Sequence, residues 1–91
     1  MTLQKNENQI QIYPCKFPLK AVGLNEDGFF EMVVETVSRH IPGLEGYHFS
    51  SRYSNQDKYI SVSVTFIAES REQVDSLYLE MSENKKILMI L

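Results

Sequence analysis

The sequence predicts an α+β sandwich: one four-stranded antiparallel sheet carrying two helices on the same face. Three observations predict it. The segment KYISVSVTF (Lys58–Phe66) alternates apolar and hydroxyl side chains with the period of two that a half-buried strand requires. Two other segments, within 25–43 and 70–84, place their apolar residues at helical spacing on one side only. Strand-like and helix-like segments then follow one another in the order β-α-β-β-α-β.

Residues 1–11 (MTLQKNENQIQ) are polar, have little to bury and read as a flexible tail, leaving 12–91 as a single domain. The first strand is YPCKFPLKAVG (Tyr13–Gly23), with Phe17, Leu19 and Ala21 on one face and Lys20 and Val22 on the other. Pro14 and Pro18 cannot donate ladder hydrogen bonds, so regular pairing is expected after Pro18, and Gly23 marks the exit turn. Asn25 or Asp27 then caps a helix with the stripe Phe30, Val33, Val34, Val37, Ile41. Arg39 and His40 suit the negative end of its dipole, and Pro42-Gly43 stops it.

A second strand, Tyr47–Ser54, sets Tyr47, Phe49, Ser51 and Tyr53 against His48, Ser50 and Arg52. The polar turn SNQD (Ser54–Asp57) returns the chain as a hairpin into the alternating strand. Ser70 and Gln73 have capping-box spacing ahead of a second helix with the stripe Val74, Leu77, Tyr78, Met81. Glu83-Asn84 ends it, and KKILMIL (Lys85–Leu91), apolar on both faces, is the last strand. Right-handed crossovers combined with one hairpin are satisfied by the strand order 4-1-3-2, the ferredoxin-like sandwich.

Composition narrows the function classes. A chain of 91 residues is one small domain, and 43% apolar with 23% charged residues is ordinary for a globular protein. No apolar run reaches the length of a membrane span, and the polar start does not resemble a signal peptide. The single cysteine, Cys15, excludes an internal disulfide and fits a reducing, cytoplasmic setting. The net charge of −3 argues against nucleic acid as the partner. The strand also lacks the K/R-G-F/Y-G/A-F-V-x-F/Y signature of RNA-binding domains with this topology: Ser61 and Ser63 stand where stacking aromatics belong.

A two-layer fold leaves one sheet face uncovered. On these registers it carries Lys20, Val22, His48, Ser50, Arg52, Tyr59, Ser61, Ser63, Thr65, Ile67, Leu88 and Ile90. Solvation alone accounts for such a face. The alternative is a contact surface in which Val22, Ile67, Leu88 and Ile90 form an apolar strip beside the hydroxyls of Ser61, Ser63 and Thr65. Its occupant would be a protein partner, or a second copy in a homodimer. Lys20, His48 and Arg52 could instead hold a small anion, provided that they converge across the sheet. No phosphate-binding glycine loop, nucleophile elbow or zinc spacing is present, so no enzyme activity, metal or cofactor is expected.

The stretches FPLKAVG (Phe17–Gly23), VSRHIPG (Val37–Gly43), YISVSVTFIAESREQVDSLYLEM (Tyr59–Met81) and the closing ILMIL together resemble the YbeD-like family of small bacterial proteins of unknown function. The resemblance covers roughly 13–91. It implies the same βαββαβ sandwich, similar to the ACT-type regulatory domains that bind amino acids, and it brings no catalytic residues. Family members are often encoded near lipoate-attachment genes, which implies a metabolic or regulatory association. The expectation is a non-enzymatic regulatory or protein-interaction module, with an ACT-like sensor of an anionic metabolite or amino acid as the alternative.

Overall fold

The computed structural model describes residues 12–91, and the expected tail, 1–11, lies outside the described residues. Six elements follow in chain order: β1 (Cys15–Leu24), α1 (Phe29–His40), β2 (Ser50–Tyr53), β3 (Tyr59–Ala68), α2 (Arg71–Ser82) and β4 (Ile87–Ile90). The sheet runs β2-β3-β1-β4, which is the expected 4-1-3-2 order, and its pairings are antiparallel. The alternation in β3 resolves as the pleat requires. Ile60, Val62, Val64 and Phe66 are buried under the helices with Leu19 and Ala21 of β1, while Ser61, Ser63 and Thr65 face away.

Pairing between β1 and β3 starts at Cys15, opposite Ala68, rather than after Pro18. The reason lies in which neighbour each β1 residue turns toward. Lys20 donates its N–H to the carbonyl of Leu91 (3.1 Å) and accepts from the Leu91 N–H (2.8 Å), so its backbone faces the β4 side. Two residues earlier, Pro18 also faces that side, beyond the last of these pairs. Its missing N–H therefore interrupts no ladder bond, and β1 stays regular through the proline.

Gly23 does not mark a turn. It lies within β1, opposite Ile60, and is buried where α1 crosses the strand. A Cβ there would collide with the ring of Phe29 and would stand 2.5 Å from the carbonyl oxygen of Lys86. Glycine is needed here for close approach. Phe29 is accordingly the deep residue at the start of α1, and the expected stripe residue Phe30 is half-buried, edge-on to Phe49 at 6.4 Å. Neither Asn25 nor Asp27 caps α1: the cap is Gly28, whose φ of 88° is left-handed and which makes no side-chain bond. The Asn25 side chain reaches the hairpin instead, donating to the carbonyl of Asp57 at 3.0 Å.

The second helix keeps its expected cap, with an addition. Ser70 accepts from the backbone N–H of Gln73 at 3.2 Å, and the Gln73 side-chain oxygen accepts from the Glu69 N–H at 2.7 Å. Its amide nitrogen donates to the carbonyl of His40 (3.0 Å), tying the start of α2 to the end of α1. The last turn of α2 is tied to that same end of α1 by Glu80, which accepts two bonds from Arg39 (3.0 and 2.6 Å) and lies 2.8 Å from His40 Nε2. Hydrogen bonds from Arg39 and then His40 lower the Glu80 pKa from 4.5 to about 2.

Because this pKa is depressed, the stabilisation from Glu80 is complete above pH 4.5 and is lost as pH falls toward 2. The Glu80 side chain is 37% exposed, so solvent screening holds the effect to under about 1 kcal/mol. Urea unfolding at several pH values should show Glu80→Gln less stable than the parent at pH 7, with the gap closing between pH 4.5 and 2. A gap that ignores pH would contradict this role.

Candidate functional site

Both helices cover one side of the sheet. On the other side the registers place side chains in rows that cross all four strands. One row reads Ser50, Ser63, Lys20, Leu91; the next reads Arg52, Ser61, Val22, Met89. Tyr59 and Leu24 follow at one end, and the pairs Thr65–Pro18 and Ile67–Lys16 at the other. Serines thus occupy the centre, flanked by a cation on each side and by an apolar margin contributed by β1 and β4.

The charged side chains on this face have one sign. Lys16, Lys20 and Arg52 project from it, and none of the four strands contains an Asp or Glu. The Asp and Glu residues among those described lie in helices, helix caps, turns and loops. Glu26, for example, pairs with Lys86 at 2.8 Å, and Asp75 with Arg71 within α2 at 3.5 Å. Among the described residues neither Lys20 nor Arg52 forms an ion pair. A chain of net charge −3 therefore presents a cationic sheet face.

Hollows adjoin one another on this face, and two of them share three residues. The first, about 320 Å³, is polar and is lined by Lys20, Ser50, Ser51, Arg52, Ser61 and Ser63. The second, about 250 Å³, is mainly apolar; Val22, Tyr53, Tyr59, Ile60 and Leu91 are among the residues that line it. Lys20, Arg52 and Ser61 line both and stand at the boundary. The Ser61 hydroxyl donates to the Arg52 carbonyl over a long 3.4 Å, and Ser63 makes no side-chain hydrogen bond among the described residues.

The expected anion trio is only partly assembled. Lys20 and Arg52 share both hollows, but His48 lines neither. It lies in a 3₁₀ turn, Gly46–His48, that replaces the first part of the expected second strand. There its Nδ1 accepts from the Glu45 N–H at 2.9 Å, and its ring stacks beside Tyr47 at 4.3 Å. The local bond to Glu45 holds the imidazole at the turn, away from the sheet centre.

The apolar strip also needs correction. Val22, Ser61, Ser63, Thr65 and Ile67 face the open side as expected, but Ile90 does not. The β1–β4 register shifts between Val22 and Gly23, pairing Ala21 with Ile90, Val22 with Met89 and Gly23 with Ile87. Ile90 and Ile87 thus share the face of buried Ala21 and pack against the core. Leu88 falls in the irregularity and lines a separate hollow with Leu24, Glu26, Lys85 and Lys86. Met89 and Leu91 take the places expected for Leu88 and Ile90. An irregularity of one residue exchanges the faces of a strand, and an all-apolar strand carries no alternation to reveal it.

Among the described residues, no group of three or more His, Cys, Asp and Glu is arranged to hold a metal ion. No helix of the described residues is long and apolar enough to cross a membrane. Cys15 is half-buried at the first residue of β1.

Residues 8–91 match the family described as "Protein of unknown function (DUF493)". The chain belongs to this family. Its relatives include the UPF0250 protein NMC1112 of Neisseria meningitidis, 33% identical over 91 residues that span both chains completely. The UPF0250 protein NE1487 of Nitrosomonas europaea is 33% identical over 85 residues, covering 93% of this chain and 98% of its own. The YbeD-like resemblance is thereby established as membership of DUF493. The fold recurs in the solution structure of protein HP0495 from H. pylori, with TM-score 0.66, 16% identity and coverage of 90% of this chain and 86% of the other.

The corrected register makes a direct prediction for this DUF493 chain. Ile90→Asp places a carboxylate against the core and should destabilise the domain by about 2–4 kcal/mol. Ile67→Asp, at a position 49% exposed, should change stability by less than about 0.5 kcal/mol. Chemical denaturation of the two variants decides between the registers, and equal effects would refute the one described.

Proposed function

We propose that this DUF493 protein is a non-enzymatic binding module whose uncovered sheet face docks an acidic protein surface. The observation supporting the reading is the segregation of charged side chains: three cationic residues and no Asp or Glu on a face margined by Val22, Ile67, Met89 and Leu91. A partner with apolar groups amid Asp and Glu would complement both the charge and the margin. The like charges disfavour a second copy on this face, since two facing copies would bring Lys20 and Arg52 against their own kind. Ser61 and Ser63 at the centre leave no aromatic platform for stacked RNA bases.

A second reading, an ACT-like sensor of an anionic metabolite or amino acid, is favoured by one specific observation. Lys20 and Arg52 converge on a single serine-lined hollow. Its association with lipoate metabolism rests on the family resemblance alone.

Photo-crosslinking in living cells tests the docking reading. A crosslinking residue placed at Ser63 should capture a protein through an acidic segment, and Lys20→Glu with Arg52→Glu should reduce that adduct at least fivefold. The same probe at Leu79, exposed on the outer side of α2, should give no such adduct. Equal capture from both positions, or indifference to the charge reversal, would overturn the reading.

A further inference from the structure

We infer that the junction of the two hollows is a site for an oxyanion joined to an apolar body: a carboxylate or phosphate monoester carrying an aryl or short alkyl group. This rests on the reading of the uncovered face as the binding surface, and it names the chemistry that the centre of that face would select.

Lys20, Arg52 and Ser61 line both hollows, so a head group bound among them lies beside the apolar wall of Val22, Tyr59 and Leu91. Arg52 offers a planar fork suited to a carboxylate or phosphate edge, and Lys20 approaches from β1 as a point charge. Ser63 supplies a hydroxyl without a protein partner among the described residues. Ser61 can turn its hydroxyl from the 3.4 Å contact with the Arg52 carbonyl at little loss.

Alternative ligands leave half of the site unused. An inorganic anion would occupy the serine-lined hollow and leave the apolar wall in water. A neutral apolar molecule would fill the second hollow while covering two cations that then lack a counter-charge, which is unfavourable. A cationic ligand meets no Asp or Glu side chain on any strand. The apolar hollow of about 250 Å³ accommodates a single ring or a short chain.

Calorimetric titration of the full chain with 3-phenylpropionate and phenyl phosphate tests the inference. At least one should bind saturably at one site, with inorganic phosphate and the uncharged 3-phenylpropanol at least tenfold weaker. Arg52→Gln and Lys20→Gln should each weaken binding at least tenfold. Leu91→Ser should weaken the aryl ligand while leaving inorganic phosphate unchanged. Lys20, Arg52 and Leu91 are exposed, so an unaltered thermal midpoint will confirm that the variants remain folded.

A short peptide ending in phenylalanine identifies the source of the anion. Binding that equals 3-phenylpropionate and is lost on C-terminal amidation assigns it to a polypeptide terminus; weaker binding assigns it to a free molecule. Absence of saturable binding by both aryl oxyanions, or indifference to Arg52→Gln, overturns the inference. If the Ser63 crosslink nevertheless persists and responds to charge reversal, protein docking stands without this site. If both are absent, the two readings fall together.

Discussion

Ten consecutive antiparallel pairs between β1 and β3, from Cys15–Ala68 to Leu24–Tyr59, assign every side chain of the two central strands to a face. Because the side-chain period is two, a slip of one strand by one residue would exchange its buried and exposed sets. It is resisted by Leu19 and Ala21 on one strand and by Ile60, Val62, Val64, Phe66 and Ala68 on the other, all buried. Each large member contributes about 1.5–3 kcal/mol on burial, so their sum rivals the net stability of about 5–15 kcal/mol typical of a domain. The rigidity of the open face is thus inherited from the core beneath it. Lys20, Ser61 and Ser63 keep their places because their neighbours in sequence are committed to the other side.

Charge follows from the same division. The polar positions of β3 carry hydroxyls, those of β1 carry lysines, and Arg52 completes the row from β2. Carboxylates collect on the helices and connections, where α1 and α2 each place one in the first turn against the positive end of the dipole. Screening confines electrostatic reach to about 8 Å at physiological ionic strength, so an approaching anion responds to the local face more than to the net −3. Net charge alone therefore says little about what this surface attracts.

The sequence made the architecture legible wherever its pattern had a period. The alternation of β3 and the stripes of both helices carried the fold, the strand order and the open-face positions of Lys20, Val22, Arg52, Ser61, Ser63, Thr65 and Ile67. What it did not reveal depended on particular contacts that no periodicity marks. Pro18 is harmless only because its nitrogen faces beyond the pairing with β4, and this concealed Lys16 as a member of the face. Gly23 looked like a turn residue, whereas its role is to admit the Phe29 ring. His48 was drawn from the sheet by a bond to Glu45 three residues away. In β4, ILMI offers no polar residue to mark a face, so Met89 and Leu91 could be assigned only through their partners Val22 and Lys20.

On the proposed reading, the cationic sheet face, and not the helical side, is the working surface. Backbone amide NMR during titration with a hexaglutamate peptide addresses it directly. The account predicts shift changes concentrated at Lys20, Val22, Arg52, Ser61 and Ser63, diminishing as salt is added. Changes centred on the outer sides of α1 and α2, or none at any residue, would contradict it.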